Sequence, residues 1–252
     1  MNSFLAALQF LTVFPIPARL ATKLNGLGIL ENSSRWFPAV GLILGCLCAA
    51  VDWALLHIFP QPVTSVVVVI ALSYASGGLH MDGLADTADG FMSARPKERI
   101  LEIMRDSRSG PMGVLALISV FSIKLMALSS LQGEVRMAAL ILAPALGRLS
   151  ALYLLSRLQY ARKEGGLATV FLGKNLGYAV AVNGIALSLI AAGLMGVPGL
   201  MWVLSALVGT EIFARMCQRK IQGFTGDTLG ASCESIEALC WVAASATGRL
   251  LI

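Results

Sequence analysis

The stretch PAVGLILGCLCAAVDWALLHIF, residues 38–59, decides the fold class. Its single ionised side chain is Asp52, and the run is long enough to cross a bilayer, which takes about 20 residues of α-helix. Inside a membrane the backbone must satisfy its own hydrogen bonds, and a helix does so within one segment. The period-two alternation typical of barrel strands is missing. The stretch therefore predicts a membrane-spanning α-helix.

The composition extends this prediction to the whole chain. Of the 252 residues, 57% are hydrophobic and 13% are charged, whereas soluble domains carry roughly 25% charged residues. The mean hydropathy is +0.78. We predict an all-α fold with one integral membrane domain over residues 1–252, a polytopic helical bundle of about seven transmembrane segments. The predicted segments are residues 38–59, 62–80, 112–131, 136–156, 177–196, 198–214 and 231–252.

The basic residues lie in alternate loops, and this alternation predicts the orientation. Fifteen of the 19 precede the first segment or follow the second, fourth and sixth. By the positive-inside rule that side is cytoplasmic, so the N-terminus is predicted inside and the C-terminus outside. Residues 3–15 lack the features of a signal peptide and predict a short interfacial or re-entrant helix. Topology accounts for the net charge of +5, and no nucleic-acid partner is predicted.

Four polar segments fall on this same cytoplasmic side. They are residues 34–38, 77–90, 104–110 and 223–231. Because alternate loops of a helical bundle meet at one end, the four segments predict a single site at that face.

Three carboxylates in the second polar segment predict a metal site. Asp82, Asp86 and Asp89 fall within an arc of roughly 60° on a helix. They would repel one another unless a cation lay between them, and Mg²⁺ prefers such oxygen ligands, often shared with substrate phosphates. An exposed acidic helix end is the alternative. No Lys or Arg lies within the segment, which favours the metal. We predict Mg²⁺ bound by Asp82, Asp86 and Asp89, with Asp106 and Asp227 as further ligands.

The loop around Asp106 predicts a phosphate clamp. Arg105 and Arg108 flank this aspartate, and arginine forks fit phosphate oxygens with two hydrogen bonds. A plain surface ion pair is the alternative. The predicted substrate-binding residues are Arg35, Arg105, Ser107, Arg108 and Thr225.

These motifs resemble those of the cobalamin synthase family, the adenosylcobinamide-GDP ribazoletransferases. The run GGLHMDGLADTADG, residues 77–90, is similar to the family hallmark. The runs MRDSRSGPMG, residues 104–113, and FTGDTLGA, residues 224–231, are similar to its second and third signatures. The early RWFP at residues 35–38 also fits, and the order of the motifs is that of the family.

The resemblance implies a phosphotransferase of the cytoplasmic (inner) membrane that depends on Mg²⁺. It would join adenosylcobinamide-GDP to α-ribazole or its 5′-phosphate, giving GMP and adenosylcobalamin or its 5′-phosphate, at the last stage of vitamin B12 nucleotide-loop assembly. A ribose hydroxyl would attack a phosphate, which requires a general base. Asp89 is the first candidate and His80 the second. Association with other cobalamin-assembly enzymes and a homo-oligomer stay open.

Two other classes stand as alternatives. A cation-coupled transporter with clustered carboxylates would place acids near the middle of the membrane and charges along a path through both faces. The predicted acids cluster at one face instead. A scaffold for other cobalamin enzymes would leave the aspartates unexplained.

Overall fold

The computed structural model describes residues 2–15, 27–106 and 108–248. These residues are helical apart from turns, loops and one isolated parallel β-bridge between Tyr160 and Phe224. Two short 3₁₀ turns, Ser34–Trp36 and Leu167–Phe171, lie between helices. The α-helices are α1 (Asn2–Leu11), α2 (Leu27–Glu31), α3 (Phe37–Leu55), α4 (Gln61–Ala75), α5 (Leu79–Met92), α6 (Lys97–Ile103), α7 (Pro111–Ser130), α8 (Gly133–Arg157), α9 (Leu176–Met195), α10 (Val197–Ile221) and α11 (Gly226–Gly248).

The structure confirms the polytopic helical bundle but has fewer membrane-spanning segments than predicted. By length and composition, five helices of the described ranges qualify: Gly28–Leu55, Pro111–Ser130, Gly133–Arg157, Leu176–Met195 and Val197–Ile221. Helices α4 and α5 meet the same criteria only when they are counted as one span bent by 87°, which raises the number of candidate spans to six. Residues 231–248 of the predicted seventh segment lie in α11, where Glu234 and Glu237 lower the hydropathy, and residues 249–252 lie outside the described residues. Helix α1 is short and apolar, and its placement at the membrane stays a prediction.

Helix α8 forms the centre of the bundle. In the most apolar stretch of α8, 89% of the residues are buried, compared with 17% in α9. Helix α8 packs against α3, α9 and α11. A helix that presents apolar side chains in most directions belongs in the interior, where neighbours surround it. Small residues at positions such as Ala139, Ala143 and Gly147 allow those neighbours to approach closely.

Two glycines of α3 set the distance to α8. A Cβ atom at Gly41 would lie 2.7 Å from Cα of Ala145, and one at Gly45 would lie 2.7 Å from the carbonyl oxygen of Leu140. Both obstacles are backbone atoms, so they cannot rotate away. The close contact between the helices therefore requires glycine at these positions.

We expect Gly45→Ala to destabilise the protein by about 1–3 kcal/mol, because the added methyl group overfills the contact. The measurement is the unfolding temperature in detergent. Gly184→Ala in α9 is the matched control, since a Cβ there meets no atom within 4 Å. It should be neutral or stabilising by up to about 1 kcal/mol. Equal unfolding temperatures for the two variants would contradict the close α3–α8 contact.

The polar segments come together at one end of the bundle, as predicted. Asp89 Oδ2 accepts the N–H of Gly110 at 2.7 Å, and a Cβ atom at Gly83 would lie 2.6 Å from the carbonyl oxygen of Asp227. From residues 34–38, Phe37 lines the same cavity as Asp227. At the other end Gln61 donates to two carbonyls around the end of α7, each 2.7 Å away. We call the end of the bundle where the polar segments meet the polar end.

Candidate functional site

A sharp bend between α4 and α5 places the acidic motif. Gly77 and Gly78 adopt φ values of +62° and +76°, a region that other residues rarely occupy. The chain turns by 87° there. Helix α5 therefore leaves the direction of α4 and packs against α7 and α11 at the polar end.

The contact of α5 with α11 builds a carboxylate cluster of Asp82, Asp86 and Asp227. A Cβ at Gly83 would lie 2.6 Å from the carbonyl oxygen of Asp227, so the two backbones nearly touch. Asp82 and Asp227 line the same cavity, and both charges act on the half-buried Asp86. No ion pair or side-chain hydrogen bond of Asp82 or Asp86 occurs within residues 2–15, 27–106 and 108–248. Neither carboxylate is therefore engaged by another described residue, and both can bind a cation.

Asp227 is held by two neighbours. Its Oδ2 accepts hydrogen bonds from Arg162 Nη2 at 2.9 Å and from Thr225 Oγ1 at 3.1 Å. Burial raises the pKa of the Asp227 carboxyl, while the Arg162 guanidinium acts in the opposite direction. Thr225 is itself buried and exchanges hydrogen bonds with Thr228 at the start of α11. Here Thr225 orients Asp227; its predicted contact with substrate stays a prediction.

Asp89 anchors the start of α7. Its Oδ2 accepts the N–H of Gly110 at 2.7 Å, and its Oδ1 accepts the N–H of Gly113 at 2.8 Å. The first amides of a helix lack partners within the helix, and the carboxylate also suits the positive end of the helix dipole. Both oxygens are therefore in use, which favours an anchoring role over the general base predicted from the sequence.

Arg105 and Arg108, the residues of the predicted phosphate clamp, form surface ion pairs, which is the alternative stated for them; phosphate binding by these residues stays a prediction. Arg108 donates to Asp106 from Nη2 at 2.6 Å and from Nε at 3.0 Å, and these hydrogen bonds lower the pKa of Asp106 to about 2. Arg105 pairs with Glu164 at 2.8 Å. A phosphate would have to compete with these surface carboxylates. Ser107 lies outside the described residues.

Arg35 lies in a separate surface groove. Its Nη2 donates to Asn32 Oδ1 at 2.6 Å, and the groove is also lined by Trp36 and Tyr178. The structure does not bring Arg35 into the cavity that contains Asp82. Its predicted role with substrate stays a prediction.

A buried ionic network lies next to the cluster, in the interior of the bundle. Lys124 of α7 donates hydrogen bonds of 2.5 Å to both Glu234 and Glu237 of α11. Arg148 of α8 pairs with the other oxygen of Glu237. His80 Nδ1 lies 4.0 Å from Glu234, beyond hydrogen-bond range. Two cations and two carboxylates balance one another in the network, each nearly inaccessible to solvent.

Sequence reasoning gave no site role to Arg148 or Arg162. A signal was available for Arg148, because a cation within an apolar segment needs a partner. No local pattern marks Arg162, since its partner Asp227 lies 65 residues further along the chain.

A cavity of about 200 Å³ opens beside the carboxylate cluster. Its walls come from α1, α3, α5, α8, α11 and the segment before α9. Its polar lining residues are His80, Asp82, Tyr160, Arg162 and Asp227.

The carboxylate cluster suits a divalent cation by its chemistry. Its donors are all oxygens, as hard cations such as Mg²⁺ require, and two of its three carboxylates make no ion pair with the described residues. In the described ranges no group of three His, Cys, Asp or Glu side chains is already arranged around a metal position. The oxygen donors are therefore of the type that Mg²⁺ binds, but the side chains of the described residues do not yet surround one metal position.

The fold and the site define a polytopic helical membrane protein with a carboxylate cluster and a cavity at one end of the bundle. The family model for cobalamin-5-phosphate synthase matches residues 3–245, and the chain belongs to this family. It is 41% identical to an adenosylcobinamide-GDP ribazoletransferase of Roseiflexus sp. (strain RS-1), over 97% of this chain and 90% of the relative. It is 42% identical to the protein of that name from Escherichia coli O17:K52:H18, over 92% of this chain and 94% of the relative. No solved structure matches the chain.

Proposed function

We propose that this chain is an adenosylcobinamide-GDP ribazoletransferase, as its relatives are named. It joins adenosylcobinamide-GDP to α-ribazole or its 5′-phosphate and releases GMP. The observation that carries the proposal is the carboxylate cluster, because α5 and α11 bring two family motifs together beside a cavity. A transfer between phosphates needs such a place to gather the negative charge of the diphosphate.

Asp82, Asp86 and Asp227 are the proposed Mg²⁺ ligands, with Asp89 and Asp106 as the further ligands predicted from the sequence. When bound, the ion would neutralise the diphosphate and stabilise the leaving oxygen of GMP. Arg162 holds Asp227 toward this position. Arg105 and Arg108 release the surface carboxylates of Glu164 and Asp106 and bind phosphate oxygens of the substrate instead.

The attacking ribose hydroxyl must give its proton to a nearby base. His80 lines the cavity next to Asp82, and its Nδ1 has no hydrogen-bond partner in the part of the chain that the structure describes. Asp89 is the other candidate, with both oxygens occupied by amides. The geometry therefore favours His80 as the group that contacts the hydroxyl.

The proposed location is the inner membrane, with the polar end of the bundle in the cytoplasm. The basic residues of the loops at this end support that orientation. Both substrates carry polar nucleotide or nucleoside groups, which a site at the membrane surface can reach without crossing the apolar layer. A homo-oligomer and an association with other cobalamin-assembly enzymes stay predictions from the family resemblance.

The proposal is tested by turnover of the purified protein in detergent or liposomes. The assay supplies adenosylcobinamide-GDP and α-ribazole 5′-phosphate and detects GMP and the corrinoid product together. We expect both products in equal amounts. Well-folded protein that forms neither would overturn the proposal, and ion flux in liposomes would then be measured to test the transporter alternative.

We expect removal of divalent cations with EDTA to abolish turnover and added Mg²⁺ to restore it. The physical reason is that the diphosphate and the carboxylate cluster repel each other without a cation between them. The control adds the same concentration of EDTA already saturated with Mg²⁺. Full activity in excess EDTA would contradict the assignment of Mg²⁺.

A further inference from the structure

The cavity beside the carboxylate cluster is too small for a whole substrate. Its volume is about 200 Å³, whereas pockets for drug-sized ligands have about 300–1,000 Å³. A corrin ring with its side chains is larger still. The cavity can therefore enclose only one compact part of one substrate.

The cavity wall is apolar and partly flat. Phe10 and Phe37 line it, with ring centroids 6.1 Å apart and planes inclined by 18°. Ala151, Ala168 and Leu229 complete the apolar lining. Flat aromatic ligands pack well against such rings, whereas a group with many hydrogen-bonding atoms would lose its partners there.

Two buried nitrogens on residues that line the cavity have no hydrogen-bond partner. One is Nδ1 of His80, a residue with 3% of its surface exposed, and the other is Nε of Arg162. Neither finds an acceptor or donor in residues 2–15, 27–106 and 108–248. Buried polar groups are almost always hydrogen-bonded in native structures. Nδ1 of His80 faces the buried Glu234, but the residues His80 and Arg162 do contribute to the cavity lining. An apolar lining with a few polar residues suits a ligand with a polar atom or two on an otherwise apolar body.

We propose that this cavity binds the aromatic base of α-ribazole, the acceptor substrate. The base is a dimethylated benzimidazole, a flat apolar ring system whose one free ring nitrogen is a hydrogen-bond acceptor. This inference rests on the proposed function and assigns a subsite within it. The base packs against Phe10 and Phe37 with its ring nitrogen toward the Arg162 guanidinium, and the ribose lies between Asp82 and Asp227 with its attacking hydroxyl toward His80.

The other parts of the substrates fit the cavity less well. Guanine carries donors and acceptors around most of its edge, and the apolar walls would leave several of them unpaired. The corrin ring exceeds the volume. The base of α-ribazole is the component whose size and polarity match, and its ribose hydroxyl then faces the carboxylate cluster where the transfer takes place.

The test narrows the cavity and measures KM for each substrate separately. Ala168→Leu fills the cavity, and the matched control Ala50→Leu adds the same atoms on the exposed surface of α3. We expect Ala168→Leu to raise KM for α-ribazole 5′-phosphate at least about tenfold, because an apolar pocket is sensitive to single methylene groups. KM for adenosylcobinamide-GDP should stay within about threefold of the unmodified protein, and Ala50→Leu should leave both values unchanged.

A second measurement needs no variant. Free 5,6-dimethylbenzimidazole should inhibit the unmodified enzyme in competition with α-ribazole 5′-phosphate and not with adenosylcobinamide-GDP. Competition with adenosylcobinamide-GDP, or a selective rise in its KM for Ala168→Leu, would overturn the assignment of the cavity and leave the proposed function standing. Absence of all product with the unmodified enzyme would overturn the proposed function itself, and the assignment with it.

Discussion

Asp82→Ala is expected to lower kcat by about 10³-fold or more, the upper range for removing one preorganised electrostatic contact. Asp82 lines the cavity at the α5–α11 contact and makes no ion pair with other described residues. The Asp82 carboxylate is therefore available to bind a ligand and does not stabilise the fold through an ion pair with these residues. For the same reason, the variant should remain folded in detergent, with an elution profile and an unfolding temperature like those of the unmodified protein.

Glu102→Ala is the matched control for Asp82→Ala. Glu102 is an acidic residue of the same end of the bundle, but it pairs with Arg99 in solvent, where both side chains are 63% exposed. Such a surface pair contributes little, so activity should stay within about twofold. An active Asp82→Ala enzyme, or an equal loss in both variants, would refute the assignment of Asp82.

Lys124→Met should destabilise the protein by about 3–5 kcal/mol, because it leaves a buried carboxylate without a cation. In the intact network Lys124 contacts both Glu234 and Glu237, and Arg148 contacts Glu237. Without Lys124 two carboxylates share a single guanidinium. The expected result is a strongly lowered unfolding temperature in detergent, or aggregation on size-exclusion chromatography.

A second substitution separates lost charge balance from lost packing. Lys124→Met combined with Glu234→Gln leaves Arg148 and Glu237 as a neutral pair, so most of the stability should return, to within about 1–2 kcal/mol. Lys97→Met serves as the control, since Lys97 is only partly buried and, among the described residues, its amine donates only to Gln222. If the double variant were no more stable than the single one, charge balance would not explain the network.

The sequence predicted the bundle well where apolar runs are uninterrupted. Helices α7, α8 and α9 lie close to the predicted segments, because each run has the length that a bilayer requires. The bend at Gly77 and Gly78 was not predicted, since the apolar run continues to the bend and only the positive φ values reveal the turn. Two glutamates also made α11 less apolar than a typical membrane span.

The site was predictable where its geometry is local. Asp82 and Asp86 follow the spacing of one helix, and the family motifs pointed to Asp227. Asp89 has the same local spacing, but its partners Gly110 and Gly113 lie 21 and 24 residues further along. A pairing between distant segments leaves no periodic pattern, so an anchoring carboxylate and a metal ligand look alike in the sequence.

The interior acids also bear on the transporter alternative. Glu234 and Glu237 do lie inside the bundle, where that alternative expects carboxylates. However, both are hydrogen-bonded to cations that balance their charge, and a transported ion would have to displace one of these cations. The network therefore joins α7, α8 and α11 through buried ion pairs.

The order in which the chain is synthesised has a consequence for this ionic network. Lys124 and Arg148 are translated 110 and 89 residues ahead of the glutamates that neutralise them. Until α11 emerges from the ribosome, insertion of α7 and α8 would place both cations in the bilayer without these partners, at a cost of about 2.5–3.5 kcal/mol each. We expect nascent chains that end before Gly226 to leave α7 and α8 poorly inserted and exposed to membrane proteases. The last helix would then act as the step that locks the earlier ones into the membrane during biogenesis.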